Sequence, residues 1–316
     1  VIDSTKCLQV LRFLLTPPSI RQVPVSLPSV FAATAKRGLK SDDRYSSHGA
    51  FVIATWNISG GQSPAQAPSS WVAIDQKAAV IKEINRWNAD ILALQECESS
   101  DPYADLIPQY KFLGAAAAHC GFVHLYVRIR EGFRAERILD ESSLSHPVVQ
   151  AKLTLETGVL DTHRHWRILA VHLPSGQEKA SRRKILDAFL PTKDPSDAVL
   201  LLGDLNAVDE EVRSFCATKG LTSVAYTGPT WGAPRNKFHE VSVVSGGNTR
   251  GLRYDWMLYR GILCAEGYVL NERRVFHEGA QFHLSDHYAL LGFLDVHPCY
   301  GSVSYTHLTL PTTPYV

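Results

Sequence analysis

The sequence has no excess of charge of either sign: 32 Lys and Arg residues stand against 31 Asp and Glu residues, and the formal net charge is +1. This balance excludes a strong overall field that would draw the protein to nucleic acid or to an anionic membrane, so local groups must hold any anionic ligand. No apolar run reaches the ~20 residues that a membrane-spanning helix needs. We therefore expect no membrane partner.

The sequence also lacks paired cysteines. Its six cysteines are far apart and form no C-x-x-C pair, which argues against a structural zinc site. We expect free thiols in a reducing, intracellular compartment, either the nucleus or the cytoplasm. With 316 residues, 45% hydrophobic and 20% charged, the chain can bury a globular core, and we expect a monomer.

Acidic residues are scarce in residues 1–48, which are rich in Pro and Ser and carry seven Lys or Arg residues against three Asp residues. Such a composition is typical of an organelle transit peptide. A translated non-coding sequence or a flexible tail explains it at least as well. At the other end, "VSYTHLTLPT" (303–312) resembles a reading frame of a sequencing adapter. We expect residues 299–316 to be a non-native tail and place the folded domain at residues 49–298.

Within this domain, apolar and alternating stretches predict strands, several of which are separated by helices. The spacing of Val80, Ile84 and Trp87 predicts a helix over 75–90, and a second helix is predicted over 178–190. This mix is typical of an α/β layered domain. The stretches that predict strands are 51–57, 90–96, 122–128, 148–156, 167–176, 198–202, 254–260 and 288–296. Within the stretch 167–176, the strand is predicted to end at His172.

Polar side chains follow the last apolar residues of several predicted strands. In "LLLGDLNAVDEEV" (200–212), Asp204 and Asn206 are two residues apart, and in an extended segment such residues share one face. Taken alone, this stretch is more typical of an ordinary turn, in which Gly, Asp and Asn are common. Because ligand sites in α/β folds gather at the carboxyl ends of strands, the ordered series predicts one pocket. The series comprises Asn57, Glu96, His172, Asp204, Asn206, Asp255 and the "SDH" at 285–287.

These residues, in this order, resemble the endonuclease/exonuclease/phosphatase superfamily. The resemblance implies a four-layer α/β sandwich, with two packed mixed β-sheets flanked by helices. It also implies cleavage of a phosphate ester that depends on Mg²⁺, with Mn²⁺ as an alternative ion. The segments that carry it are "TWN" (55–57), "LQE" (94–96), "VHLPSG" (171–176), "GDLN" (203–206), "TW" (230–231), "RYDWML" (253–258) and "LSDH" (284–287).

Within that superfamily, the sequence is most similar to the 5′-tyrosyl-DNA phosphodiesterases, the tyrosyl-DNA phosphodiesterase 2 family. The similarity rests on "GDLNAVDEEV" (203–212), "GLRYDWMLYRG" (251–261) and "SDHYALLGFLD" (285–295). The sequence departs from that family at Pro174, where the family has glutamate, and over residues 58–74, which are longer and richer in Ser, Pro and Ala. Both departures concern the substrate rather than the chemistry.

Hydrolysis of a phosphodiester builds negative charge, which a hard cation with oxygen ligands neutralises. We predict Glu96 as the principal Mg²⁺ ligand, with Asn57 as a neutral partner that does not repel the phosphate. The family pattern also places Asp286 near the metal. The alternatives are a solvated strand end for Glu96 and a hydrogen bond to its own loop for Asn57.

The remaining strand-end residues are predicted to be catalytic. Asp204 is the expected general base, and Asn206 donates to a phosphoryl oxygen or holds the attacking water. His287 is expected to stabilise the pentavalent state, with its ring oriented, by the family pattern, by Asp255. We expect His172 to donate to a phosphoryl oxygen.

Other candidates have two interpretations. Arg183, in the basic run 182–184 of a predicted helix, either contacts a phosphate backbone or belongs to a solvated face. Trp231 either stacks on a base or tyrosyl ring of the substrate or is a buried structural aromatic. We expect His163 and His165 in a turn, without a third ligand for a metal.

Three functions remain open from the sequence. The first is a Mg²⁺-dependent phosphodiester hydrolase that acts on DNA ends, such as one that removes 5′-tyrosyl adducts in DNA repair. The second is a superfamily enzyme with a small-molecule, lipid or RNA phosphate as substrate, for which the balanced net charge leaves room. The third is a non-catalytic binding module on the same fold.

Overall fold

The computed structural model of the protein describes residues 50–62, 64–131, 133–139, 146–156, 163–176, 178–190, 198–232, 238, 251–261, 264–269 and 275–295. The predicted segments 1–48 and 299–316, and the predicted domain limits at 49 and 298, lie outside the described residues.

Two six-stranded mixed sheets form the body of the described chain. The strands of the first sheet are, in spatial order, β11 (Cys264–Val269), β14 (Leu290–Asp295), β1 (Ala50–Asn57), β2 (Ile91–Cys97), β4 (Phe122–Arg128) and β3 (Tyr110–Ala117). Those of the second sheet are β5 (Phe133–Ile138), β6 (Val148–Glu156), β7 (His163–His172), β8 (Ala198–Asp204), β10 (Asp255–Arg260) and β9 (Thr222–Ser223). A small hairpin joins β12 (Val275–His277) to β13 (Ala280–Phe282).

The two sheets pack face to face, and alternate residues of their central strands face opposite cores. In β8, Leu200 and Leu202 lie in the core between the sheets, whereas Leu201 lies in the core on the outer face. In β1, Ile53 and Ala54 divide in the same way. Strands buried on both faces read as continuous apolar runs, which accounts for the unbroken "AVLLL" of β8.

Three helices cover the outer faces: α1 (Ala73–Trp87), α2 (Lys179–Phe189) and α3 (Asp209–Lys219). Ile84 of α1 packs on the first sheet, while Phe189 of α2 and Phe215 of α3 pack on the second. The layers are therefore helix, sheet, sheet and helices, which confirms the predicted four-layer α/β sandwich. None of the helices in the described part of the chain is long and apolar enough to span a membrane.

Several elements differ from the sequence prediction. The strands β3, β5 and β11 and the helix α3 were not predicted, because their short or mixed patterns lack a clear period. The predicted turn at residues 163–165 is wrong, since these residues begin β7 and pair with β6. The ring Nδ1 of His165 lies 3.1 Å from Oγ1 of Thr154 across that strand pair.

The topology brings the ends of several strands to one edge of the sandwich. The strand β1 runs parallel to β2, and β7 runs parallel to β8, so the carboxyl ends of each pair meet. In the second sheet, His172 and Asp255 are both register partners of Asp204. In the first sheet, Leu290 at the start of β14 pairs with Thr55, which places the preceding "SDH" segment beside the end of β1.

Candidate active site

The carboxylate of Asp204 lies at the centre of the strand-end residues and is 1% exposed. Its Oδ1 accepts the backbone N–H of Asn206 at 2.8 Å, and its Oδ2 accepts the amide of Asn57 at 3.1 Å. The Nε2 atoms of His172 and His287 both lie 3.7 Å from Oδ2. These last distances exceed a hydrogen bond, so the two imidazoles and the carboxylate face a shared space.

Burial, followed by repulsion from Asp255, raises the pKa of Asp204 to about 7, although His287 and two hydrogen bonds oppose the rise. A carboxyl group with this pKa exchanges a proton readily near neutral pH, which suits a general base.

His287 and Asp255 form a buried hydrogen-bonded pair. The ring Nδ1 of His287 lies 2.8 Å from Oδ2 of Asp255. Burial by itself lowers the pKa of His287, but the carboxylates of Asp255, Asp286 and Asp204 outweigh it and raise the pKa to about 10. Asp255 is held in turn through its backbone N–H, which donates to the hydroxyl of Thr230 at 3.1 Å.

Glu96 lies at an irregularity near the end of β2, where the register with β4 shifts between Leu94 and Cys97. Its φ of 55° is rare for a residue with a side chain, and bulges of this kind redirect side chains at functional sites. The carboxylate Oε1 accepts the amide of Asn57 at 3.0 Å and lies 3.9 Å from Nε2 of His172. Burial raises the pKa of Glu96, and the hydrogen bond from Asn57 partly offsets this rise.

His172, at the end of β7, is 6% exposed. Its Nε2 faces the carboxylates of Glu96 and Asp204, and its Nδ1 has no hydrogen-bond partner among the described residues. Burial lowers the pKa of His172, which favours the neutral ring, and the charge of Glu96 works against this shift. A neutral imidazole beside a charged His287 gives the site two different nitrogen donors.

Asp286 lies within hydrogen-bond distance of Ser59 and Trp231. Ser59 Oγ lies 2.5 Å from Oδ1 of Asp286, and the indole Nε1 of Trp231 donates to Oδ2 at 3.0 Å. The hydroxyl of Ser285 donates to the backbone oxygen of Asn57 at 2.6 Å and fixes this turn to the end of β1. Asp286 therefore adds a fourth carboxyl group to the site.

Asn206 does not adopt the conformation that the sequence suggested. Its φ of 47° is left-handed, so Asp204 and Asn206 do not share a face of an extended strand. The amide nitrogen of Asn206 donates to the backbone oxygen of Leu173 at 2.9 Å. Asn206 thus caps the carboxylate of Asp204 with its backbone and tethers the loop after His172 with its side chain.

The role predicted for Asn57 also changes. Its amide nitrogen faces Glu96 and Asp204, while its oxygen accepts the backbone N–H of Ser59 at 3.0 Å. An amide whose nitrogen faces the carboxylates positions them and offers no oxygen to a cation there. We therefore move Asn57 from the ligand set to the groups that orient Glu96.

Arg183 and Trp231 have different surroundings. The guanidinium of Arg183 donates to Asp187 on its own helix and lies 5.5 Å from the centre of the Phe215 ring. Arg183 is therefore not placed beside the carboxylates of the candidate site. Trp231 is half-buried beside the site, with its ring centre 5.3 Å from that of Tyr254. The indole N–H of Trp231 donates to Asp286, which is a structural role, and its half-buried ring can still stack on a substrate. The two predicted roles of Trp231 are therefore compatible.

Sequence reasoning missed several residues that hold the site: Ser59, Thr230, Ser285 and Tyr254. Each lies within a quoted motif, such as "TW" or "SDH", or within two residues of one, and that proximity is the signal that could have identified them. Hydroxyl groups beside buried carboxylates supply the hydrogen bonds that the low-dielectric interior requires.

Two separate sets of side chains offer ligands for a cation. Asp204, Asp255 and His287 place one ligand atom each within 4.8 Å of one another, and all three are buried. Because the Nδ1 of His287 is already bonded to Asp255 and Mg²⁺ prefers oxygen ligands and retained waters, this set suits a catalytic relay better than a Mg²⁺ site.

Glu96 and Asp286 fit a hard cation better. The side chain of Glu96 is 19% exposed, so an ion there can keep water molecules. Among the described residues, no Lys or Arg forms an ion pair with Glu96, Asp204 or Asp255. These three carboxyl groups, against two imidazoles, leave an excess of negative charge, which a divalent cation would neutralise.

Comparison with known structures shows the same fold in several proteins. The TDP2 of D. rerio, solved in complex with a single-strand DNA product, has 18% sequence identity and a TM-score of 0.54, with 77% of this chain and 98% of that chain covered. Truncated Caenorhabditis elegans TDP2 has 20% identity and a TM-score of 0.50, with 78% and 98% covered. SmcL has 14% identity and a TM-score of 0.53, with 78% and 99% covered.

These identities establish a shared fold. A comparison with curated protein sequences finds no match. The family model described as the Endonuclease/Exonuclease/phosphatase family matches residues 54–287, a span that contains every residue of the site. The chain therefore belongs to the endonuclease/exonuclease/phosphatase family.

Proposed function

We propose that this protein is a metal-dependent phosphodiester hydrolase that acts on DNA ends and removes 5′-tyrosyl adducts in DNA repair. Enzymes of its family hydrolyse phosphate esters. The observation that carries the proposal is the convergence of Glu96, Asp204, Asp255 and Asp286 with two histidines at one edge of the sandwich. Such a site repels a phosphate unless a cation is bound, and it holds both a base and a charged donor.

We propose that Glu96 and Asp286 hold the cation, with Mg²⁺ as the proposed ion and Mn²⁺ as the alternative. When bound, the ion neutralises charge on the phosphoryl and leaving oxygens. Asn57 holds Glu96 toward the site through a 3.0 Å hydrogen bond, and Ser59 and Trp231 hold Asp286. Ligand side chains fixed in this way lose little freedom when an ion binds.

Asp204 supports the base role through its position and its pKa. Its Oδ2 faces the same space as the Nε2 atoms of both histidines, so a water that bonds to Oδ2 lies within reach of a phosphate held by them. The bonds from Asn57 and Asn206 fix the orientation of the carboxylate. With a pKa of about 7, Asp204 can accept the proton of the attacking water.

The two histidines support charge stabilisation. Asp255 keeps His287 protonated, so its Nε2–H is a charged donor at the position where negative charge develops on the phosphoryl oxygens. Burial lowers the pKa of His172, at the end of β7, so this residue supplies a neutral donor. A donor that is in place before the reaction needs no reorganisation as charge builds.

The DNA substrate is supported by the sequence similarity to the tyrosyl-DNA phosphodiesterase 2 family and by the shared fold with the TDP2 structure that carries a single-strand DNA product. The paired rings of Trp231 and Tyr254 beside the site fit an aromatic or base group of such a substrate. A role in DNA repair would place the protein in the nucleus, or in an organelle if residues 1–48 direct it there.

A second candidate is a phosphodiesterase that acts on a small-molecule, lipid or RNA phosphate. The net charge of +1 favours it, because processing of nucleic acid is commonly supported by a basic surface. The TM-scores for SmcL and for the TDP2 of D. rerio, 0.53 and 0.54, are similar, so the fold by itself does not select the substrate.

The test is a substrate panel with the purified full chain and Mg²⁺: 5′-tyrosyl DNA, abasic DNA, poly(A), sphingomyelin and inositol phosphates. We expect 5′-tyrosyl DNA to be hydrolysed fastest, and Glu96→Gln to lose this activity. The matched control is Glu98→Gln, since Glu98 is an exposed carboxylate two residues away.

Each outcome of the panel decides between the candidates. Faster turnover of sphingomyelin, inositol phosphates or poly(A) would favour the second candidate. Equal loss in the Glu96 and Glu98 variants would remove the ligand assignment. If no substrate were turned over with either Mg²⁺ or Mn²⁺, the chain would be a binding module on this fold.

A further inference from the structure

Arg182 is a buried cation next to the loop that follows His172. It lies on α2, yet it is only 4% exposed, so it belongs neither to a solvated face nor to a surface that contacts a phosphate backbone. Its Nε and Nη2 donate to the two carboxylate oxygens of Glu211 at 3.0 and 2.7 Å. Glu211 lies in the first turn of α3, which begins shortly after Asp204 and Asn206.

The guanidinium also binds the backbone of the loop. Its Nη1 donates to the carbonyl oxygens of Pro174 and Gly176 at 3.2 and 2.9 Å. The side-chain amide of Asn206 donates to the carbonyl oxygen of Leu173 in the same loop, at 2.9 Å. Side chains therefore supply the partners for three carbonyls of this irregular loop, which has no strand or helix partners for them among the described residues.

One side chain thus links the two loops that carry the catalytic groups. Residues 173–176 continue directly from His172, and α3 continues directly from the Asp204–Asn206 loop. A planar guanidinium with several fixed donors can hold both at once, which a lysine with one nitrogen cannot do in the same geometry.

We propose that Arg182 is a positioning residue that sets the placement of His172 relative to Asp204, an inference that rests on the proposed function. Arg182 does not touch the substrate; it acts through the carbonyls of residues 174 and 176. The Nε2 of His172 lies 3.7 Å from Asp204, and a shift of the loop changes this separation directly.

A single substitution of Arg182 leaves the half-buried Glu211 without its cation, which by itself destabilises the protein. The double variant Arg182→Met/Glu211→Met removes both charges and keeps side chains of similar volume. Replacement of a buried ion pair by apolar residues is commonly tolerated, so this variant isolates the loss of the loop contacts. The control is Glu210→Met/Arg213→Met, which removes an exposed Glu and an exposed Arg from α3.

The first readout is turnover of 5′-tyrosyl DNA by the full chain with Mg²⁺. We expect kcat of the Arg182/Glu211 variant to fall by about 10- to 100-fold, with KM nearly unchanged and Tm within about 4 °C of the wild type. The control variant should keep the wild-type kcat. Wild-type kcat in the Arg182/Glu211 variant would overturn the proposal, as would a fall matched by the control.

The second readout separates this inference from the proposed function. In metal-free protein with labelled histidine, the ring resonances of His172 should shift in the Arg182/Glu211 variant and stay in place in the control. If the wild type hydrolyses no phosphodiester, the proposed function fails, and the shift alone decides whether Arg182 positions His172. Unchanged His172 resonances would overturn the inference even if the enzyme is active.

Discussion

The ring Nδ1 of His287 lies 2.8 Å from Oδ2 of Asp255, and both side chains are buried. Because a carboxylate only accepts, the bonded nitrogen carries a proton, and Nε2 is left to face Asp204 at 3.7 Å. Asp255 thereby fixes both the orientation and the charge of the imidazole. The pair should behave as one functional unit rather than as two independent groups.

This relationship predicts a non-additive pair of substitutions. On the preferred substrate, His287→Ala should lower kcat by roughly 10²–10³ through loss of a charged donor. Asp255→Ala should lower it less, because it removes only the group that orients the ring. The double variant should be hardly worse than His287→Ala alone. Strictly multiplicative losses in steady-state kinetics would show that the two residues act separately.

Asp204→Asn tests the general base. The substitution keeps the shape of the side chain and removes the proton acceptor, so kcat should fall by roughly 10²–10⁴ with little change in KM.

The pH dependence gives a second measurement of the same group. Because the pKa of Asp204 is about 7, the wild-type kcat/KM should rise as the pH increases through that region and the carboxyl group loses its proton. The Asp204→Asn variant should lack this acidic limb in its residual activity. A limb that persists unchanged in the variant would assign the titration to another group.

Glu96→Gln tests the cation site separately from the chemistry. The substitution keeps the size of the side chain and its bond to Asn57 while it removes the charge, so Mg²⁺ should bind more weakly. We expect the Mg²⁺ concentration for half-maximal activity to rise by about 10-fold or more, which corresponds to about 1.4 kcal/mol. Calorimetric titration with Mg²⁺ checks the same loss without a substrate. Unchanged Mg²⁺ affinity would remove Glu96 from the ligand set.

Sequence reasoning reached the layers of this fold because strand and helix periods are local properties. The helical spacing of Val80, Ile84 and Trp87 reappears as the buried face of α1, and the apolar run before Asp204 is a strand buried on both faces. The strand-end rule also placed His172 beside Asp204, because the parallel strands β7 and β8 end at one edge of their sheet. Glu96 joins them from β2 of the first sheet, since the two sheets pack face to face.

The details that failed depend on backbone conformation and on contacts between distant segments. The spacing of Asp204 and Asn206 suggested a shared face, but the left-handed φ of Asn206 turns its amide toward Leu173. The basic run around Arg182 resembles a surface patch, since nothing local shows that Glu211, 29 residues away, will pair with it. Such long-range pairing is set by the tertiary fold and leaves no period in the sequence.

His124 is a buried histidine outside the candidate site, and its hydrogen bonds define its protonation. Its Nε2 lies 2.7 Å from the backbone oxygen of Ser99, which only accepts, so Nε2 carries the proton. Its Nδ1 then accepts from the hydroxyl of Tyr126 at 3.0 Å, and that hydroxyl accepts the backbone N–H of Tyr103 at 3.0 Å. The neutral ring completes this chain of bonds. Burial lowers the pKa of His124, and the bond to Ser99 opposes the shift only in part.

This arrangement predicts a loss of stability in mild acid that His124→Gln should reduce. The folded state keeps the ring neutral, whereas the unfolded chain takes up a proton near the ordinary histidine pKa of 6.5. Below that pH the unfolded state therefore binds more protons, and the free energy of unfolding falls as the pH decreases. Urea unfolding between pH 8 and pH 5 should show a smaller fall for His124→Gln than for the wild type. The exposed His165→Gln should follow the wild-type curve, and parallel curves for all three proteins would show that His124 does not contribute to the acid sensitivity.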